Sequence, residues 1–220
     1  MGQGPNTNRP FLARERHGTL SGCKESNVVL MVQDASAGAM IDAALSSGAL
    51  CCPSCKGRLQ RWGFARGRIV RRRGLPALRL RPPRVRCSSC GITHVLLSAS
   101  CLPRRLDEVA TIGAALLAHV RGEGHRPIAV RLELPPDTVR GWLRRARSNH
   151  ASLRYLGTVL AHSLDANLPP LQPAGSPLGD AIDALATAAA AAQRFFGGSR
   201  TPWEAMTLMT HGRLLAPGGP

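Results

Sequence analysis

Four of the seven cysteines in this sequence form two Cys-x-x-Cys pairs, Cys52 with Cys55 and Cys87 with Cys90. Thiolates are soft ligands, and each pair can occupy two corners of a tetrahedron around Zn²⁺. The two pairs together predict a zinc ribbon. Because sulfur fills all four corners, the predicted Zn²⁺ is structural. The alternative is that these are buried or redox-active cysteines.

Two residues beside these pairs are further candidate ligands. Cys51 adjoins Cys52, but only Cys52 has the spacing of the second pair, and His94 follows Cys90 by four residues. We expect both Cys51 and His94 to be structural. An odd number of cysteines, with no apolar stretch near the N-terminus, indicates a reducing cytoplasm, where paired cysteines bind metal more often than they form disulfides.

Positive charge is concentrated around the cysteine pairs. The net charge is +16, and the segment between Asp42 and Asp107 contains fourteen basic residues and no acidic residue. A localised positive field favours binding to a phosphate backbone, so double-stranded DNA is the expected partner and the expected location is the nucleoid in the cytoplasm. We expect no membrane partner, because the sequence lacks both a basic amphipathic helix with bulky apolar residues and a long apolar run.

The segment between the two pairs alternates apolar and basic residues, most clearly at residues 78–81 and 84–86. This period of two predicts a small antiparallel sheet with one arginine-covered face. We expect that face to hold phosphates, and the candidate residues are three consecutive arginines, Arg71, Arg72 and Arg73. Trp62 and Phe64 would stack on bases if they were exposed, but we favour the interpretation that both fill a small core.

Helical periodicity dominates after the second pair. Asp107 is expected to cap a first helix, residues 126–132 form a second, and a sharp turn leads to a third that has Asp137 as its cap. The third helix has one apolar stripe, formed by Val139, Trp142, Leu143 and Ala146. Three helices with a tight turn between the last two predict a helix-turn-helix unit, with a plain helical hairpin as the alternative.

The face of the third helix opposite its apolar stripe is the predicted DNA-reading surface. Arginine can donate two hydrogen bonds to guanine O6 and N7 in the major groove, and a glycine lets the backbone approach closely. The candidate DNA-binding residues on this helix are Thr138, Arg140, Gly141, Arg144 and Arg145.

Two stretches of this helical region carry a family resemblance. Ile128-Ala129-x-x-Leu132, followed by Thr138-Val139-Arg140-x-Trp142-Leu143-Arg144, resembles the helix-turn-helix of transposases and their partner proteins. The block at residues 52–147 resembles an actinobacterial family of zinc-ribbon/helix-turn-helix proteins of undefined function associated with mobile elements, and insertion-sequence proteins of the InsA type share that layout. The resemblance implies a DNA-binding accessory or regulatory protein of a transposable element.

The sequence departs from the usual helix-turn-helix pattern at its turn. Glu133 stands where a glycine is common, and Pro135-Pro136 replaces a cap led by serine. A residue other than glycine in a left-handed turn costs about 1 kcal/mol.

The predicted fold class is α+β, mainly α, with a small zinc-ribbon sheet, a three-helix helix-turn-helix unit and C-terminal helices. The predicted regions are a disordered leader at 1–27, a strand and helix with the zinc ribbon at 28–101, the helix-turn-helix at 102–150, and a helical region at 151–220 with a Pro-rich linker at 169–177. The last region begins with an apolar stripe formed by Leu153, Leu156, Val159, Leu160 and Leu164. It either forms a self-dimer, docks a catalytic transposase, or covers the helix-turn-helix core.

Acidic residues are too few and too scattered to predict catalysis. A two-metal nuclease needs three converging carboxylates, and no Walker loop, nucleophile elbow or Cys/His dyad occurs in the sequence. We therefore expect a protein that is not an enzyme and has no small-molecule substrate. Two alternatives stay open, a stand-alone transcription regulator and an adaptor that docks on a transposase or polymerase.

Overall fold

The computed structural model describes residues 29–198 and 200–216, and in these ranges the fold is of the predicted α+β class. The predicted leader at residues 1–27 lies outside the described residues. In chain order the elements are β1 (Val29–Val32), α1 (Gly38–Ser46), β2 (Leu59–Phe64), β3 (Arg68–Arg72), β4 (Leu75–Leu80), β5 (Pro83–Cys87), β6 (Thr93–Ser98), α2 (Val109–Val120), α3 (His125–Leu132), α4 (Pro136–Ser148), α5 (His150–Leu164), α6 (Pro177–Phe196) and α7 (Pro202–Met209).

The described chain divides into two compact units. The first unit contains the residues up to Gly67 together with Leu80–Ser98, and the second contains Arg68–Arg79 and the chain from Ala99 onward. The segment Arg68–Arg79, predicted as part of the ribbon, therefore belongs to the second unit. Among the described residues, no helix combines the length and the apolar character needed to cross a membrane.

The first unit contains a four-stranded sheet with strand order β1-β6-β5-β2. The β2–β5 and β5–β6 pairs are antiparallel, as expected, but β1 pairs with β6 in parallel, so the sheet is mixed. The prediction of one antiparallel sheet was wrong because β1 enters from before the cysteines and β3–β4 pair separately. Among the described residues, one cluster of buried core residues in this unit comprises Ile41, Leu45, Leu50, Cys52, Leu59, Val85, Cys87 and Leu96.

In the second unit, α2, α3 and α4 lie where the three-helix unit is predicted. The predicted stripe on α4 is confirmed, since Val139, Trp142, Leu143 and Ala146 are all buried. The predicted caps were wrong. α2 begins after Glu108 with no side-chain cap, and α4 begins at Pro136, which puts Asp137 inside the first turn. Proline suits the first helical position because it has no N–H to be capped and its φ is already helical.

The β3–β4 hairpin joins the helices through Arg71. Its N–H donates to the Leu106 carbonyl at 2.6 Å, and its carbonyl accepts from the Glu108 N–H at 3.0 Å. Its guanidinium donates to both carboxylate oxygens of Asp107 at 2.9 Å. The Asp107 side chain is buried, so this contact replaces its predicted capping role and attaches the hairpin to the start of α2.

Helices α5 and α6 lie close together, and small residues line part of the contact. On α5 the buried residues are Leu153, Gly157 and Ala161. Of the other residues in the predicted apolar stripe, Val159 is 43% exposed, and the half-buried ones are Leu156, Leu160 and Leu164. A Cβ at Gly157 would lie 2.6 Å from the carbonyl carbon of Ala184, which shows that the α6 backbone approaches α5 closely. Small residues on both helices permit this distance.

Helix α7 covers part of the three-helix region. The indole of Trp203 occupies the space that a side chain at Gly113 on α2 would need, and the Asn149 side chain donates to the Arg213 carbonyl at 3.0 Å. These contacts support the alternative in which the C-terminal region covers the preceding helices. Dimerisation and transposase docking stay predictions.

Glu133, which stands where a turn glycine is common, has a left-handed conformation with φ 56° and ψ 43°. Replacing Glu133 with glycine should stabilise the protein by about 1 kcal/mol, because the Cβ strain is removed from an exposed position. Urea unfolding followed by helical circular dichroism measures the change. Glu133→Ala is the matched control, since it removes the same carboxylate but keeps the Cβ and should not stabilise the protein.

Candidate metal centre and arginine surface

The four predicted cysteines come together in the first unit. The sulfurs of Cys52, Cys55, Cys87 and Cys90 all lie within 4.8 Å of one another. The Cys55–Cys87 and Cys52–Cys90 sulfur pairs are 3.4 Å and 3.7 Å apart. Two sulfurs on a tetrahedral ion with 2.3 Å bonds are about 3.8 Å apart, so the cluster fits one four-coordinate metal ion.

The two Cys-x-x-Cys turns have the same backbone structure. The carbonyl of the first cysteine accepts a hydrogen bond from the residue after the second cysteine, Lys56 to Cys52 at 2.8 Å and Gly91 to Cys87 at 3.1 Å. Both donors have positive φ, 60° at Lys56 and 73° at Gly91. Each turn therefore presents its two sulfurs in the same way, which is how two knuckles share one ion.

Gly57 lies at the cysteine cluster and was not predicted from the sequence as a site residue. Its carbonyl accepts from the Cys52 N–H at 3.0 Å, and a Cβ at this position would lie 2.9 Å from the Cys87 sulfur. Only glycine lets the first turn approach the second pair this closely. The available sequence signal was a glycine two residues after the second cysteine of the first pair.

The sulfurs differ in burial and in proton affinity. Cys52 and Cys87 are buried in the core, whereas Cys55 and Cys90 are exposed. The backbone N–H of Cys90 donates to the Cys87 sulfur and lowers the pKa of that thiol to about 6. The Gly57 N–H lowers the pKa of Cys55, but the neighbouring Cys87 and Cys90 sulfurs outweigh it and raise this pKa to about 12. Metal ligation needs all four thiolates, so binding displaces protons from the cluster.

The two other candidate ligands lie outside the group of four. His94 is fully buried on β6, and its Nε2 is 3.5 Å from the Cys52 sulfur. This distance suits a hydrogen bond that orients a metal-bound thiolate. The Cys51 backbone pairs with Arg58 in an isolated bridge, and its sulfur is not part of the cluster.

The candidate DNA-binding residues of the third helix all lie on α4, but they differ in availability. Arg144 is exposed and has no hydrogen-bond or ion-pair partner among the described residues. Arg140 pairs with Asp137 at 3.0 Å, and both side chains are largely exposed. Arg145 folds back and donates to the Gly141 carbonyl at 3.1 Å, so its guanidinium covers the glycine. Thr138 is half-buried.

The three consecutive arginines lie on the β3–β4 hairpin and in its turn. The Arg71 charge is neutralised by Asp107, as described above. Arg72 donates to the Pro76 carbonyl at 2.9 Å, and Arg73 donates to the Arg131 carbonyl at 3.3 Å. Since carbonyls carry no net charge, Arg72 and Arg73 keep theirs. The Arg73 contact joins the hairpin turn to the last turn of α3.

No protein-family model, curated protein or solved structure matches this chain. The function must therefore be inferred from the chemistry of the cysteine cluster and of the arginine-bearing elements.

Replacing Cys52 or Cys87 with serine should remove the bound metal and unfold the first unit. Both sulfurs belong to the metal cluster and to the apolar core, and structural zinc sites contribute about 10–16 kcal/mol of binding free energy at pH 7. Elemental analysis of the purified variants measures the metal content per chain. Cys51→Ser is the matched control and should keep the metal. A Cys87→Ser protein with the parent metal content would contradict the assignment.

Proposed function

We propose that this chain is a zinc-dependent, sequence-specific DNA-binding protein without catalytic activity. The ion is Zn²⁺, because four thiolates at tetrahedral spacing form a closed site that suits this metal, and a closed site leaves no position for substrate or water. The zinc stabilises the first unit as a zinc ribbon.

Helices α3 and α4 form the helix-turn-helix of the proposal. The connection between them is three residues long, it contains the left-handed Glu133, and α4 buries one continuous stripe. A second helix positioned by a tight turn in this way can enter the major groove. Arg144, exposed and unpaired on the outer face of α4, is the observation that carries the proposal.

The hairpin provides the phosphate contacts. Arg72 and Arg73 lie in the same compact unit as α4, and Arg73 contacts the end of α3, so the hairpin turn and the helix pair can contact one DNA duplex. Arg140 can join them, since an exposed pair such as Arg140–Asp137 is worth at most about 1 kcal/mol and separates easily. Arg71 has a structural role instead, and Thr138, Gly141 and Arg145 shape the groove-facing surface.

The biological role follows the resemblance of residues 52–147 to zinc-ribbon/helix-turn-helix proteins of mobile elements. We place the protein as an accessory or regulatory protein that binds transposon ends. A stand-alone transcription regulator would have the same site and a promoter as its target. Residues 151–220 would contact a transposase or a second copy of the chain. They would do so through the part of their surface that does not pack on the preceding helices.

Arg144→Ala should relax base preference, whereas replacing both Arg72 and Arg73 with alanine should weaken binding to all duplexes. A bidentate arginine–guanine contact is worth about 1–3 kcal/mol of discrimination, and two lost phosphate contacts flatten the salt dependence by about two units. Selection from a random duplex library, followed by anisotropy titrations at several salt concentrations, measures both effects. Arg194→Ala, on α6 and paired with Asp165, is the charge-matched control.

Three results would contradict the proposal. The first is equal base preference in Arg144→Ala and Arg194→Ala. The second is the absence of duplex binding by the zinc-loaded protein, which would favour an adaptor that docks on another protein. The third is cleavage or joining of DNA by the purified protein alone, which would contradict the assignment as a protein without catalytic activity.

A further inference from the structure

Two aromatic side chains of β2 are exposed in the first unit. Trp62 is 54% exposed and Phe64 is 52% exposed, so the interpretation that both fill a small core was wrong. Large apolar side chains that stay in water forgo the free energy of burial. Where such side chains cluster on a surface, they commonly mark a binding site.

Each aromatic ring lies beneath an arginine. The Arg86 guanidinium is 4.7 Å from the Trp62 ring centroid, and the Arg81 guanidinium is 4.9 Å from that of Phe64. Cation–π contacts of this kind hold the ring and the charged group side by side. About half of each aromatic side chain stays accessible to solvent. The β2 edge therefore has two places where an exposed apolar ring lies next to a positive charge.

The strand that carries these rings is an edge strand. β2 lies at the end of the sheet order, and its residues after Leu59 are all exposed. The β2–β5 register shifts between Arg61 and Phe64, which interrupts the regular ladder. Bulged edges resist the addition of another strand, so this edge is a poor site for an extended peptide.

The first unit has an excess of positive charge, which favours a polyanionic ligand. Its described residues include two acidic side chains, Asp34 and Asp42, against seven basic ones, and Asp42 is already paired with Arg61 at 2.5 Å. The register places Arg84 and Arg86 on the sheet face opposite Val85, which is buried in the core. Arg81 and Arg86, the two arginines that contact the rings, are both exposed, so a positive charge is available to a phosphate beside each ring.

We infer that the β2 edge of the first unit binds single-stranded nucleic acid. Trp62 and Phe64 stack on unpaired bases while Arg81 and Arg86 contact the adjoining phosphates. In a duplex the base faces are covered by neighbouring bases, so the rings require an unpaired strand. This site is additional to the proposed duplex contact of α4 and does not depend on it.

The test uses the full-length, zinc-loaded protein and a labelled oligodeoxythymidine of about 15 nucleotides, which covers the usual site size of such surfaces. Trp62→Leu and Phe64→Leu should each weaken binding on the order of tenfold, since stacking on one base is lost. The dependence of log K on log salt should not change in either variant, because the phosphate contacts remain. Trp62→Phe should restore most of the affinity.

Two further variants separate stacking from charge. Arg86→Gln should reduce the salt slope by about 0.7, as expected for one lost contact to a single strand. Tyr155→Leu, which removes a 71% exposed aromatic residue on α5 in the second unit, is the matched control and should bind as the parent does. Metal content measured on every variant verifies that the first unit is folded. An oligouridine of the same length distinguishes RNA from DNA as the natural strand, and binding of either supports the inference.

The inference is overturned if the Trp62→Leu and Phe64→Leu proteins keep their metal and bind the oligonucleotide as the parent does. That result would assign the exposed rings to a protein partner. It is also overturned if Tyr155→Leu loses as much affinity. A duplex of the same length separates this proposal from the previous one, because Trp62→Leu should leave duplex binding unchanged and Arg144→Ala should leave oligodeoxythymidine binding unchanged.

Discussion

Mutual repulsion among four thiolates is the constraint on which the first unit depends. The sulfurs lie within 4.8 Å of one another, and without a cation their negative charges cannot all be present at that distance. Cys52 and Cys87 also belong to a small apolar cluster, of which eight buried residues lie in the described part of the chain. A core of that size rarely supports folding without a further cross-link, so a metal ion held by the four cysteines would stabilise the core, and loss of either would destabilise the other.

Features set by local chemistry could be predicted from the sequence. The clustering of the four cysteines follows from their spacing, and the buried stripe of α4 follows from helical periodicity. The start of α2 could not be predicted, because a distant partner competes for the side chain expected to cap it. Asp107 binds Arg71, which is 36 residues away in the chain.

Features set by tertiary contacts escaped prediction for the same reason. Alternation along β2 shows that Trp62 and Phe64 belong to a strand, but not that the strand lies at an edge where both rings reach solvent. Likewise, the apolar stripe of α5 follows from its leucine spacing, but the spacing does not show that α6 approaches the helix at Gly157. The exposure of the β2 rings and the α5–α6 contact both depend on a neighbouring element that the local sequence does not specify.

The insertion of the hairpin between β2 and β5 connects the two units through loop closure. Pairing of Phe64 with Pro83 brings together the two ends of the segment that leaves the first unit, contributes the β3–β4 hairpin to the second and returns. If loss of the metal unravels this sheet, the ends separate and the segment regains chain entropy, which opposes holding the hairpin against α2 and α3. A metal ion held by the four cysteines would thus keep the two ends of this loop together, although the tip of the loop, at Arg72 and Arg73, belongs to the other unit.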